Sequence, residues 1–219
     1  MSLLTPVVYD GSLQKQLALG DVLAQRETIP ATVATTTTTI TGAQLAAGFI
    51  LRSHGAAGTD TIDSAANIIA AISGGVGSNG VPPGTTWRVR WLVSTAFATT
   101  VTATANTGVT VTNPTVNASS CKDYLVTVVN GTPASAVQAT TVSGSAVISG
   151  LTTAQCAALS IGMVVTNAVA NLQAQTIIAI NIASGTVTLS GNANATNTTP
   201  VAVNFSPVIT LYGIGQGLL

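Results

Sequence analysis

Charge is scarce in this chain, and what there is sits on one side. Six Lys or Arg and six Asp or Glu stand among 219 residues, 5% of the chain, against about 25% in ordinary globular proteins. All twelve fall between Asp10 and Asp123, so positions 124 to 219 carry none. Formal net charge is zero, which rules out long-range repulsion as the means of keeping copies apart. Only Arg88 and Arg90 come close together among the cations. Nucleic acid is therefore not an expected partner, because phosphate binding relies on clustered Lys and Arg.

Other shortages narrow the field further. The stretch SIGMVVTNAVANLQAQTIIAI, residues 160 to 180, is rich in aliphatic side chains, but Asn167, Asn171, Gln173 and Gln175 interrupt it. A spanning helix needs about 20 predominantly apolar residues, so no membrane segment is expected. The start, MSLLTPVVYDGSL, lacks the positive and continuous apolar regions of a secretory signal, and a chain made in the cytoplasm is expected. The two cysteines, Cys121 and Cys156, are too few and too far apart for a metal-ligand spacing. They read as two small buried or half-buried thiols or, in an oxidising setting, as a disulfide. Eight aromatic residues are a thin supply for a glycan-binding surface.

Catalytic chemistry has little to work with. An enzyme places an acid, base or nucleophile of tuned pKa in a pocket. His54 is the single histidine, beside Ser53 and six residues before Asp60, the composition of a Ser-His-Asp set. It lies in SHGAAGTD, where an exposed or interfacial loop imidazole is the plainer reading. Asp60 and Asp63 are spaced like a fragment of a calcium loop, but no third acid follows, and helix capping is expected of them. SGGVGSNG lacks the Lys of a phosphate cradle and reads as a surface loop. Six acids, two of them in the first 25 residues, are a poor stock for the paired carboxylates of a glycosidase. The expectation is a protein that is no enzyme, with no catalytic, cofactor-binding or metal-binding residues and no cofactor.

What fills the place of charge is Thr, Ser, Asn, Gly and Ala, while hydrophobic residues stay at an ordinary 47%. A neutral, short-chained polar surface loses little on desolvation, since no ion must leave water. Such a composition favours assembly.

Along the chain, residues 1 to 34 read as an extended N-terminal arm. Leu3, Leu4, Val7, Val8 and Tyr9 are its apolar docking residues, bounded by Pro6 and the turn-like Asp10-Gly11. The β-branched run ATVATTTTTI predicts a strand near 35 to 40. Thr41 and Gln44 have capping-box spacing, predicting a short helix over 41 to 47 before the strand FILRS. DTIDSAANIIAAISGG predicts a helix over 64 to 73, capped by Asp63 or Ser64, with Ala65, Ile68, Ile69 and Ile72 on one face. In TWRVRWLVS the period becomes two, placing Trp87, Val89, Trp91 and Val93 in the core. Arg88 and Arg90 then share the other face, either meeting a carboxylate across an interface or lying in solvent.

TTVTATA, GVTVTNP and CKDYLVTVVNG continue as short strands. A second, uncharged β unit is expected over 140 to 206, with strands in SGSAVISGL, SIGMVVTNA, QTIIAINIASGTVTLSG and PVAVNFSP and a short helix in TTAQCAAL capped by Thr152 or Thr153. The alternating Val208, Thr210 and Tyr212 predict a last strand returning to the first sheet. The fold class is therefore all-β with two or three short helices: a β-sandwich or barrel over 35 to 139 plus 207 to 219, with a small β module inserted at 140 to 206.

These segments carry a resemblance. TITGAQLAAGFILRSHGAAGTDTIDSAANIIAAI, TWRVRWLV, NTGVTVT, CKDYLVTVVNGT and VITLYGIG resemble β-rich virion structural proteins of tailed bacteriophages and prophages, over about residues 35 to 138 and 207 to 215. SGSAVISGLTTAQCAALSIGMVV, with IIAINIASGTVTLSG, is similar to a small β module of phage particle proteins, and DGSLQKQLALGDVL to N-terminal segments of phage fibre and head-decoration proteins. The resemblance implies a capsid decoration, or cement, protein on the virion surface, homotrimeric, with the major capsid protein as partner. A tail-fibre or baseplate component, or an adhesin for host glycans, is the alternative. Leu3, Leu4, Val7, Val8, Tyr9, Arg88 and Arg90 are the expected capsid or subunit interface.

Overall fold

Strands dominate the computed structural model, which describes residues 7–10, 13–16, 32–72, 80–105, 107–166, 172 and 175–218. Near the N-terminus β1 (Val7–Asp10) pairs antiparallel with β2 (Leu13–Gln16) in a two-stranded sheet of its own. Val7, Val8 and Tyr9 thus lie on β1, while Leu3 and Leu4 fall outside the described residues. The next elements are β3 (Thr37–Ile40), α1 (Gly42–Ala46), β4 (Phe49–Arg52), β5 (Gly58–Ile62) and α2 (Ala65–Ile72). They are followed by β6 (Thr86–Val93), β7 (Thr99–Ala103), β8 (Val109–Thr112), β9 (Thr115–Val116) and β10 (Ser120–Asn130).

The local chemistry of the helices follows their caps. Thr41 and Gln44 form a reciprocal capping box at α1. At α2, Ser64 Oγ accepts from Asn67 N at 3.2 Å. Asp63 braces the same turn, its Oδ1 accepting from Ser64 N and its Oδ2 from Gly42 N of the neighbouring helix. Helix α1 lies so close to α2 that a Cβ on Gly42 would stand 2.6 Å from Asn67 O.

Two sheets share these strands. One runs β4-β6-β10-β17-β8, where β17 (Val208–Leu218) is the last strand of the chain, and the other runs β3-β5-β7-β9. Strands β3, β5 and β7 are mutually parallel, and β9 closes the row antiparallel. Inward side chains of both sheets meet in one core that includes Ile40, Ile62, Trp91, Val101, Tyr124, Val126 and Leu211, with Leu45 and Ile68 from the helices. This is a β-sandwich. Of the two tryptophans, Trp91 is fully buried, whereas Trp87 is half-buried with its Nε1 donating to Leu45 O at 3.0 Å. Val33 joins the sandwich too, through a parallel bridge to Arg52.

Beyond Asn130 the chain builds β11 (Ser135–Thr141), β12 (Val147–Ser149), α3 (Thr153–Ala157), β13 (Val164–Val165), β14 (Ile177–Asn181), β15 (Thr186–Leu189) and β16 (Asn197–Ser206). Thr152 caps α3 in a second capping box with Gln155. The sheet order is β13-β16-β11-β12-β15-β14. An antiparallel bridge from Val164 to Thr176 brings its two ends together, helped by Ile177 N donating to Met163 O at 2.9 Å. The closed sheet wraps a separate core of Val137, Ile148, Cys156, Met163, Leu172, Val187 and Phe205, among others. Its chain enters after β10 and leaves into β17, two adjacent antiparallel strands whose ends meet at Asn130 and Val208.

Asn130 pins the two bodies together. Its Nδ2 donates to Ser160 Oγ at 3.0 Å and to Ile161 O at 2.8 Å, and its Oδ1 accepts from Thr132 N at 2.9 Å.

Candidate functional site

The fate of the charged side chains defines the surface. Between residues 32 and 218 there are seven: Arg52, Asp60, Asp63, Arg88, Arg90, Lys122 and Asp123. Strand β4 turns Arg52 inward and β5 turns Asp60 toward it, both fully buried, with Nη2 2.9 Å from Oδ1. Arg52 also donates from Nη1 to Val33 O at 2.8 Å and from Nη2 to Thr35 O at 2.7 Å, fastening the segment that leads into β3. Trp91 Nε1 donates to Asp60 Oδ2 at 3.0 Å. Burial pushes the Asp60 carboxyl above the usual carboxylate range, against the pull of Trp91, Arg52 and His54. It likewise lowers the Arg52 guanidinium, so desolvation outweighs attraction on both partners.

His54 and Asp60 correct two expectations. His54 is only 2% exposed, not a solvent-facing loop residue, and its Nε2 pairs with Thr99 Oγ1 at 2.5 Å. Among the described residues no hydrogen bond joins Ser53 to His54 or His54 to Asp60, so the set does not assemble as a triad. Asp60 caps no helix; it is the counter-ion of Arg52, and capping is left to Asp63 and Ser64. Spacing could not reveal this, because the partner strand that turns Asp60 inward is set by the parallel pairing of β5. Among the described residues no group of three His, Cys, Asp or Glu could hold a metal ion. Most of the loop SGGVGSNG lies outside the described residues.

On the outer face of the five-stranded sheet, Arg90 and Asp123 stand opposite each other on β6 and β10. Arg90 holds the carboxylate with two bonds, Nε to Oδ1 at 2.7 Å and Nη2 to Oδ2 at 2.9 Å. The Arg90 hydrogen bond keeps the Asp123 carboxyl below its usual range. Arg88 lies 3.7 Å from the same carboxylate, its side chain 63% exposed. Lys122, on the opposite face of β10, is buried and donates to Asn113 O and to Thr115 O at 2.8 Å, above the Tyr124 ring. Burial lowers the Lys122 ammonium and raises the Tyr124 phenol. Sequence reasoning missed Lys122, although its alternation with Ser120 and Tyr124 on one face was there to be read.

The outcome is a surface from which charge has been withdrawn. Asp60 and Arg52 neutralise each other inside, Arg90 and Asp123 do so outside, Lys122 is spent on carbonyls and Asp63 on a helix start. Arg88 alone of the seven has a mostly exposed side chain, and it reaches Asp123 at 3.7 Å, beyond the two shorter bonds of Arg90. Aliphatic side chains stand exposed on both bodies, among them Val129, Val142, Ile161, Ile178 and Ile214. Val129, Ile161, Pro82 and Pro83 are among the residues that line a groove of about 750 Å³ between the two bodies. Cys121 and Cys156 are both free thiols. No helix among the described residues is long and apolar enough to cross a membrane.

Comparison with known proteins gives no relative: no family model, no curated protein and no solved structure matches the chain.

Proposed function

We propose that this chain is a structural protein of a virus particle, a decoration protein that covers and stabilises a capsid as a homotrimer bound to the major capsid protein. The observation that supports this reading best is the withdrawal of charge from the surface of both bodies. Copies crowded on a shell meet neighbours at close range, where a like charge repels and an unpaired ion is costly to desolvate. Surfaces of Thr, Asn, Ser and short aliphatics avoid both costs, and each contact repeated by symmetry gains in effective concentration. The resemblance of the β segments to tailed-phage virion proteins points the same way.

In this reading Leu3, Leu4, Val7, Val8 and Tyr9 attach the chain to the shell. Arg88, the exposed cation on the outer sheet face, meets a carboxylate of a neighbour. Deletion of residues 1–25 tests the attachment: the truncated chain is expected to fold, with the tryptophan emission of the intact sandwich, and to leave particles on sedimentation. A truncated chain that still sediments with particles refutes the role given to the arm.

A further inference from the structure

Three neighbouring strands carry the same pattern, Thr-x-Thr: Thr37 and Thr39 on β3, Thr59 and Thr61 on β5, Thr100 and Thr102 on β7. The strands are parallel and in register, so Thr37, Thr59 and Thr100 form one row and Thr39, Thr61 and Thr102 a second. Thr115 on β9 lengthens the first row. Between them Asp60 and Val101 are fully buried. Alternation along a strand therefore sends all the threonines to the outer face. Thr37, Thr39 and Thr115 are exposed, and the others are half-buried between their threonine neighbours.

The array has a defined metric. Nodes lie about 4.8 Å apart across strands and about 6.7 Å apart along them. A β-branched side chain is stiff about χ1, so each node presents its methyl and its hydroxyl in a restricted direction. Of the seven hydroxyls in the two rows, only that of Thr102 reaches an acceptor in the chain, Asp60 O at 3.5 Å. Below the array, the Arg52–Asp60 pair and the bond from Trp91 hold β5 in place.

The chemistry of the face selects among ligands. It holds no cation for a phosphate and no aromatic ring for a sugar to stack on. Three strands by two rows span roughly 200 Å², well short of the roughly 800 Å² per partner of a stable protein interface. A second copy would not be held by this face alone. What uses every node is a ligand that repeats on both spacings, and the oxygen repeats on prism faces of hexagonal ice lie close to them.

We propose that the threonine array is an ice-binding face. Its free hydroxyls take the positions of lattice oxygens and its methyls sit in the gaps between, ordering the first water layer into register with the solid. This inference does not rest on the shell reading and stands or falls separately from it.

The test is arrest of ice-crystal coarsening by the full chain in a frozen sucrose film, comparing wild type with Thr61→Lys at the centre of the array, Thr39→Lys on its exposed edge strand, and Thr188→Lys on β15 of the second body. Near-ultraviolet dichroism of the buried Trp91 and Tyr124 checks folding, and Thr39→Lys keeps the test open if Thr61→Lys fails to fold. Wild type and Thr188→Lys are expected to arrest coarsening, and the folded array variants to lose the effect. The proposal is overturned if wild type coarsens like buffer, or if folded array variants arrest coarsening as wild type does. It is also overturned if the array substitutions instead dissociate an oligomer seen by sedimentation, which would make the face a protein contact.

Discussion

Removing the charge of Asp60 should cost more than the ion pair itself contributes. In Asp60→Asn, the Arg52 guanidinium stays buried at 0% exposure with its counter-ion gone, although its bonds to Val33 O and Thr35 O remain. Breaking one half of a buried pair costs about 3–5 kcal/mol, because the surviving charge is left in low dielectric. For a chain of this size that lowers the melting temperature by about 2–4 °C per kcal/mol. Arg52→Met strands Asp60 in the same way. The double variant leaves no buried ion, so the two single costs should exceed the double cost by about 2–3 kcal/mol.

Urea unfolding followed by tryptophan emission is the assay, and its probe is local. Both tryptophans, Trp87 and Trp91, lie on β6, so the signal reports the sandwich and not the second body. Costs that add to within about 0.5 kcal/mol would refute the coupling. A single variant as stable as wild type would refute the burial argument altogether.

Further outcomes follow from other contacts. Gly42→Ala should lower stability by about 1–3 kcal/mol, read by thermal melting, because the new methyl meets Asn67 O at 2.6 Å and must push α1 from α2. Asn130→Ala should loosen the two bodies by about 1–3 kcal/mol, visible in calorimetry as a second transition separating from the first, since Ser160 Oγ and Ile161 O lose their shared donor. The acid limb of stability should flatten in Asp123→Asn: the folded carboxyl lies below its unfolded value, so its contribution is present above that unfolded value and lost as pH falls through the folded one.

Much of the architecture was legible in the residues. The capping box of Thr41 with Gln44, and the cap expected at Thr152 or Thr153 and found at Thr152, mark their helix starts because such motifs are local and need no tertiary partner. The period-two run Thr86 to Val93 gave β6 and its buried Trp91, and the alternation after Val208 gave the returning strand β17. What stayed hidden depends on pairing between distant strands. His54 lies in a loop as it reads, but its burial shows only when β7 brings Thr99 against it, and Asp60 reads as a cap until β4 sets Arg52 opposite. Trp87 and Trp91 look equivalent in the pattern, yet Trp87 sits at the strand end beside α1, where one side is open. The threonine rows needed register as well, since three separate Thr-x-Thr segments become an array only when their strands align.

On the proposed function, imaging purified virus particles at a resolution that resolves the shell tests the central claim most directly. The account predicts three-fold density of this chain repeating over the head at the lattice's symmetry positions, with the charge-poor bodies packed on their neighbours. Density confined to the tail would move the chain to fibre or baseplate, and its absence from the particles would contradict the account.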